Sequence, residues 1–279
     1  MDYSLLVRIL LVCIVLLAIY YFVKWLNGSG DLQDRIIYSN SNPGLLAMST
    51  TATVFPSTAL PPVYGGGEFS ISTWIYITNW AINRGSNKVF LTLSGGGSGY
   101  STLVMYLGQN INKLGVRVST DSTNVSNTLN SVQMGKITSG LTPYTDTDGD
   151  FSKCDIQTVD LQRWVNITVV LTGRTADVYM DGKLSRSCVL DGLYKVDGDI
   201  PSLSLGGPSG FGGYIGQTRA ANYAYSPDQV YLNYLNGPNT VSLASQILKM
   251  FGIVDIPSVP TLPSVSITAP VITIDSSPP

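Results

Sequence analysis

Histidine is absent from this 279-residue chain, and Glu68 is its only glutamate. Without imidazole there is no Ser-His-Asp or Cys-His nucleophile and no histidine-ligated metal centre; Lys, Asp or N-terminal bases remain formally open. A glycosidase needs two carboxyl groups a few ångströms apart, which here must come from Asp alone or from Glu68 with an Asp. These absences predict a protein that is not an enzyme. Charge is scarce too: 12% of residues are charged and the formal net charge is −2. Nucleic-acid binding draws on clustered Lys and Arg, and no such cluster exists, so no nucleic-acid partner is expected.

What is present begins with ILLVCIVLLAIYYFV at 9–23, fifteen residues without a charge. A bilayer core of about 30 Å asks for about 20 residues. Arg8 and Lys24 can snorkel to the headgroups and extend the span to 5–26, and Tyr20, Tyr21, Phe22 and Trp25 cluster at one end as interfacial aromatics do. A cleaved signal peptide is the alternative, but no small-x-small cleavage site follows the run. The reading is a single-pass anchor at 1–26, with the membrane as partner. Its orientation stays open, because Arg8 and the amino terminus on one side balance Lys24 and Arg35 on the other.

Residues 27–44 then read as a linker rich in Gly, Ser and Asn. From 45 to 237 strand signals follow one another. In EFSISTWIYIT, 68–78, Phe69, Ile71, Thr73, Ile75 and Ile77 share one face, while Ser70, Ser72, Trp74, Tyr76 and Thr78 share the other. Further strands are predicted over 89–93, 101–107, 114–119 and 164–171. Asp181-Gly182 marks a type I′ hairpin between strands at 176–180 and 183–188. The loop Ser94-Gly95-Gly96-Gly97-Ser98-Gly99 lacks the Gly-Lys-Ser/Thr of a phosphate cradle and is a turn. Many short strands without long helices indicate an all-β, two-sheet antiparallel sandwich.

The order Phe69-x-Ile71-x-x-Trp74, Arg163-Trp164-Val165-Asn166-Ile167-Thr168-Val169, Val178-Tyr179-Met180-Asp181-Gly182-Lys183 and Tyr214-Ile215-Gly216 resembles the laminin-G-like branch of the concanavalin A-like jelly rolls. So does the closing segment from Asn222 to Val230. The resemblance implies two stacked antiparallel sheets and, in many members, a glycan-binding face. That superfamily spans lectins, glucanases and structural modules, so it does not by itself name a function. Its glucanases carry a Glu-x-Asp-x-Glu strand and its legume lectins a metal set of Glu, Asp, Asn and His, and both are missing here. A calcium site of the laminin-G kind is less excluded. Asp146, Asp148 and Asp150 alternate as hard oxygen ligands could, but Gln157 stands where an EF-hand has its bidentate Glu, and the preferred reading of the segment is an Asp/Gly-rich turn.

Cys13 lies in the apolar run, whereas Cys154 and Cys188 fall close enough in the implied topology to pair; two buried thiols are the alternative. Sequons at Asn124 and Asn166 are expected by chance in a chain this rich in Asn, Ser and Thr.

Beyond the sandwich, Ser226-Pro227-Asp228-Gln229 reads as N-cap, N1 proline and capping box of a short helix ending near Gly237. A second amphipathic helix is predicted within 238–254, with Val241, Ala244, Leu248 and Phe251 on one face. Residues 255–279 form a proline-rich extended tail whose Val259, Val265, Ile267, Val271, Ile272 and Ile274 are candidates to dock on a neighbouring protein. Anchored jelly rolls of this kind resemble minor capsid components of large DNA virus particles, which join an inner membrane to the capsid shell. The alternative is a membrane-tethered, lectin-like surface protein with a carbohydrate partner.

Overall fold

The computed structural model describes residues 17–19, 33–39, 44–95, 99–121, 128–139, 154–196 and 201–239. Thirteen strands and two α-helices are defined in them: β1 (Asp34–Tyr38), β2 (Leu45–Leu46), β3 (Thr53–Phe55), β4 (Glu68–Asn79), β5 (Lys88–Ser94), β6 (Tyr100–Leu107), β7 (Leu114–Val118) and β8 (Leu129–Asn130); then α1 (Ser131–Ser139), β9 (Trp164–Thr172), β10 (Thr175–Met180), β11 (Lys183–Val189), β12 (Ser202–Leu205), β13 (Gly212–Ala221) and α2 (Pro227–Leu235). They pair antiparallel into two sheets. The larger runs β1-β13-β4-β9-β10-β11 with β2 also on β13, and the smaller runs β3-β12-β5-β6-β7 with β8 on β6.

The period-two pattern becomes the core. Phe69, Ile71, Ile75 and Ile77 of β4 and Val165, Ile167, Val169 and Leu171 of β9 face Leu91, Leu93, Leu103, Met105, Val116, Leu203 and Leu205 of the smaller sheet. Thr73 sits on the same side, and its hydroxyl is satisfied by that of Thr218 at 2.8 Å. The Asp181-Gly182 turn has φ of 50° and 76°, the pair of positive values a type I′ hairpin requires.

Several features differ from the sequence reading. Residues 34–38, expected in the linker, form the edge strand β1 beside β13. Helix α1 covers the outer face of the smaller sheet, where Ile137 meets Val104, Tyr106 and Leu129. The second face of β4, which carries Ser70, Ser72 and Trp74, is buried at those residues as well, because α2 lies over it. The candidate pair Cys154 and Cys188, by contrast, is bridged as expected, in a disulfide with the Cα atoms 5.7 Å apart, and the alternative of two buried thiols does not hold.

Among the described residues no helix is long and apolar enough to cross a membrane. The proposed span 5–26 lies outside them except for 17–19, which are helical. The predicted helix within 238–254 and the tail 255–279 lie outside them as well, apart from 238–239.

Candidate functional site

Helix α2 has three different flanks. It starts on a capping box, with the Gln229 N–H donating to the Ser226 hydroxyl at 3.3 Å and the Ser226 N–H donating to Gln229 Oε1 at 3.0 Å; Pro227 occupies N1. Val230 points inward among Val170, Tyr179, Ala221 and Tyr225. On one side Tyr234 stacks on Trp74. On the other, Gln229, Asn233 and Asn236 recur at helical spacing and face β1 and β13.

A groove follows that amide-bearing flank. Its wider part, about 140 Å³, lies between Asp34 of β1, Arg219 of β13, Tyr223, Tyr225 and the helix residues Gln229 and Asn233. A second depression of about 10 Å³, enough for one oxygen, opens between Ser72, Trp74, Gln217 and Asn236. Arg219 and Asn233 line both.

The charges in the groove are organised around Asp34. Its Oδ1 accepts from Arg219 Nε at 2.6 Å and from the Tyr225 hydroxyl at 3.1 Å, and its Oδ2 accepts from the Tyr223 hydroxyl at 3.1 Å. Arg219 Nη1 in turn donates to Asn233 Oδ1 at 3.1 Å. Burial raises the Tyr225 pKa, and the neighbouring Asp34 charge raises it further. For Arg219, burial works against the charged form, but the hydrogen bond and charge of Asp34 outweigh it and the pKa rises. The groove thus keeps a fixed guanidinium, a fixed carboxylate, two phenol rings and carboxamides on one wall.

Below the helix, Asn166, Thr168 and Ser72 form a buried hydrogen-bonded layer, with Asn166 Nδ2 donating to Ser72 Oγ at 3.1 Å. Past Pro238, whose carbonyl accepts from the Gln217 N–H at 2.9 Å, the same outer face carries an aromatic row. Tyr214, Tyr76 and Trp164 are in register across β13, β4 and β9, and Leu46 of β2 continues the row beside Tyr214.

Four acidic groups outside the groove are already engaged. Asp155 holds Arg117 and, at 3.0 Å, Lys113. Asp160 and Asp181 both bind Arg163, and Glu68 accepts the Ala224 N–H at 3.1 Å. Glu68 pairs with Thr172 at one end of β9, whereas the Asp181 N–H binds the carbonyl of Asn166 near the other. Six residues of strand separate those positions by about 20 Å, too far for a glycosidase pair. Among the described residues no group of His, Cys, Asp and Glu could hold a metal. The calcium candidates Asp146, Asp148 and Asp150 lie outside them, as do the docking candidates Val259, Val265, Ile267, Val271, Ile272 and Ile274.

A laminin-G family model of the concanavalin A-like lectin/glucanases superfamily matches residues 49–231. The chain belongs to the laminin-G branch of the concanavalin A-like lectin/glucanases superfamily. No curated protein matches it in sequence. Among solved structures, this laminin-G-like chain is similar to the binding domain of botulinum neurotoxin serotype D, at 13% identity and a TM-score of 0.44 over 68% of this chain and 42% of that one. The botulinum neurotoxin DC binding domain in complex with SialylT matches at 15% identity and 0.39, over 61% and 35%. The binding domain of Paraclostridial mosquitocidal protein 1 matches at 16% and 0.39, over 61% and 38%. The laminin-G-like chain thus spans about two fifths of the length of the structures it matches.

The groove itself was not visible in sequence. Asp34 and Arg219 are 185 positions apart. The nearest signal was the capping box, which located α2 but not the flank it presents to β13.

Proposed function

We propose that the protein is a membrane-tethered, non-enzymatic structural module: the apolar run 5–26 holds it to a bilayer, and the sandwich is a rigid body for contacts. The observation that carries this is the commitment of Asp34, Asp155, Asp160, Asp181 and Glu68 to cations or backbone N–H groups, with the Glu68–Asp181 pair split across β9. Nothing in that arrangement offers a free acid beside a free base. In its most specific form the proposal is a minor capsid component that links an inner membrane to the capsid shell of a large DNA virus, with the tail 255–279 docked on neighbouring shell proteins. Its support is the order of segments in the sequence, anchor, sandwich and proline-rich tail. Stoichiometric copurification with shell proteins, lost on deleting 255–279 while the sandwich keeps its melting temperature, is the expected result. A truncated chain that melts much earlier yet still assembles overturns the tail's role.

The groove favours a second reading, a lectin-like protein. Planar guanidinium, carboxylate and carboxamide groups beside phenol rings are what a polyhydroxylated ring needs, in-plane hydrogen bonds on its edge and an apolar surface for its C–H face. Glycan-array binding that falls at least tenfold in Asn233→Ala supports it. An array without binders, or binding indifferent to Asn233, removes it.

A further inference from the structure

The outer surface of the larger sheet carries a run of apolar side chains that the fold leaves in solvent. Tyr231 and Leu235 lie one turn apart on α2, with Leu232 beside them. Tyr231 packs at the β10–β11 turn, 3.0 Å from where a Cβ on Gly182 would stand. Leu184, opposite Tyr179 on β11, extends the patch, and Leu46 closes the aromatic row at the far end. These five residues are between 47% and 59% exposed, although large apolar groups on one side of a sheet are normally covered.

The way the chain enters this sheet indicates what covers it. β1, the edge strand of the same sheet, begins at Asp34. Only residues 27–33 separate it from the end of the apolar run at Leu26. Seven residues span at most about 25 Å when fully extended. If 5–26 is in a bilayer, the sandwich is confined within that distance of the headgroups, and a modest apolar face meets lipid at high effective concentration. Tyr and Leu side chains suit the membrane–water boundary, where aromatic residues concentrate.

We propose that the α2-bearing face of the larger sheet rests on the surface of the bilayer that holds the N-terminal run, placing Leu184, Tyr231, Leu232 and Leu235 at headgroup depth. The inference rests on the tether put forward above. It gives the sandwich a fixed orientation, with the smaller sheet turned away from the membrane.

The test uses the full chain, one copy per phosphatidylcholine nanodisc, labelled by hydroxyl radicals and normalised to each side chain's intrinsic reactivity. Val54, Tyr64 and Ile111, at 59%, 64% and 55% exposure, are internal references. At least fivefold weaker labelling of Tyr231, Leu232 and Leu235 than of these references is expected. In the double variant Leu184→Asp/Leu235→Asp, whose melting temperature should hold because both positions are exposed, Tyr231 should label like the references. Equal labelling in a chain that still resists alkaline carbonate extraction overturns the face and leaves the tether standing. Extraction by carbonate overturns the tether and the inference with it. Protection seen only in discs carrying two copies overturns it in favour of self-association.

Discussion

The indole of Trp74 and the ring of Tyr234 stack with centroids 5.6 Å apart and planes 18° from parallel. Trp74 belongs to the central strand of the larger sheet and Tyr234 to the last turn of α2, so this contact fixes the helix that forms one wall of the groove. Truncating Tyr234 to Ala removes both the stacking and the area it buries. The expected cost is about 2 to 3 kcal/mol in urea unfolding, with a red shift in tryptophan emission as the indole meets water. An unchanged emission spectrum would show that α2 stays seated without the ring.

Arg117 is fully buried on the outer face of the smaller sheet, and Asp155, with its carboxylate 4% exposed, neutralises it. Asp155 follows Cys154 directly, so the disulfide to Cys188 also sets where that carboxylate stands. Asp155→Asn removes the carboxylate that Arg117 and Lys113 share in this buried site, and should cost about 3 to 5 kcal/mol. The double variant Arg117→Met/Asp155→Leu removes both charges and should recover much of that loss. Equal losses in the single and double variants would mean that packing, rather than the uncompensated charge, sets the cost.

What the sequence showed, and what it hid, follows from the range of the interactions. The strands of β4 and β9 were legible because a half-buried strand writes its period into neighbouring residues, and the β10–β11 hairpin because Asp181-Gly182 is a local requirement of backbone geometry. β1 was not, since Asp34–Tyr38 is short and acquires its meaning from pairing with residues 218–221. α1 was missed for a similar reason: Gly135 weakens its local signal, and the apolar partners of Ile137 lie on β6 and β8. Any outer face looks polar in a strand pattern until an element packs on it, which is why Ser70 and Ser72 gave no hint of burial.

Gly115 stands opposite Tyr106 in the β6–β7 ladder, and a Cβ placed on it would lie 2.2 Å from the phenol ring. The ring covers the bare backbone there, an arrangement that stabilises glycine within a strand. Gly115→Ala must therefore displace Tyr106 from its contact with Arg117, whose guanidinium sits 5.2 Å from the ring centre. A loss of about 2 kcal/mol or more is expected. In a Tyr106→Ala background the same substitution should cost almost nothing, and a double-mutant cycle reads the difference directly. Additive losses would rule out the ring as the cause.

Stability should rise and then fall across alkaline pH, because two kinds of buried group titrate in opposite directions. Lys88 is buried, and among the described residues no carboxylate meets its ammonium: it donates to the carbonyls of Gly108 at 3.1 Å and Gln109 at 3.2 Å and lies 4.4 Å from the centre of the Trp80 ring. Burial lowers its pKa from 10.5 to about 8. Between those values the unfolded chain holds a proton that the folded one has released, so stability increases with pH. The tyrosines act the other way. Burial pushes Tyr194 up from 10.0 to about 12, helped by the Glu68 charge, and raises Tyr106 as well. Above pH 10 the unfolded chain loses phenol protons that the folded one retains, and stability declines. The urea midpoint should therefore climb from pH 8, peak near pH 10 and drop beyond it. Lys88→Met should remove the climb and leave the decline, whereas Tyr194→Phe should soften the decline alone. A midpoint that falls steadily from pH 8 in the unmodified chain would mean that Lys88 keeps its charge on folding, held by the two carbonyls and the indole.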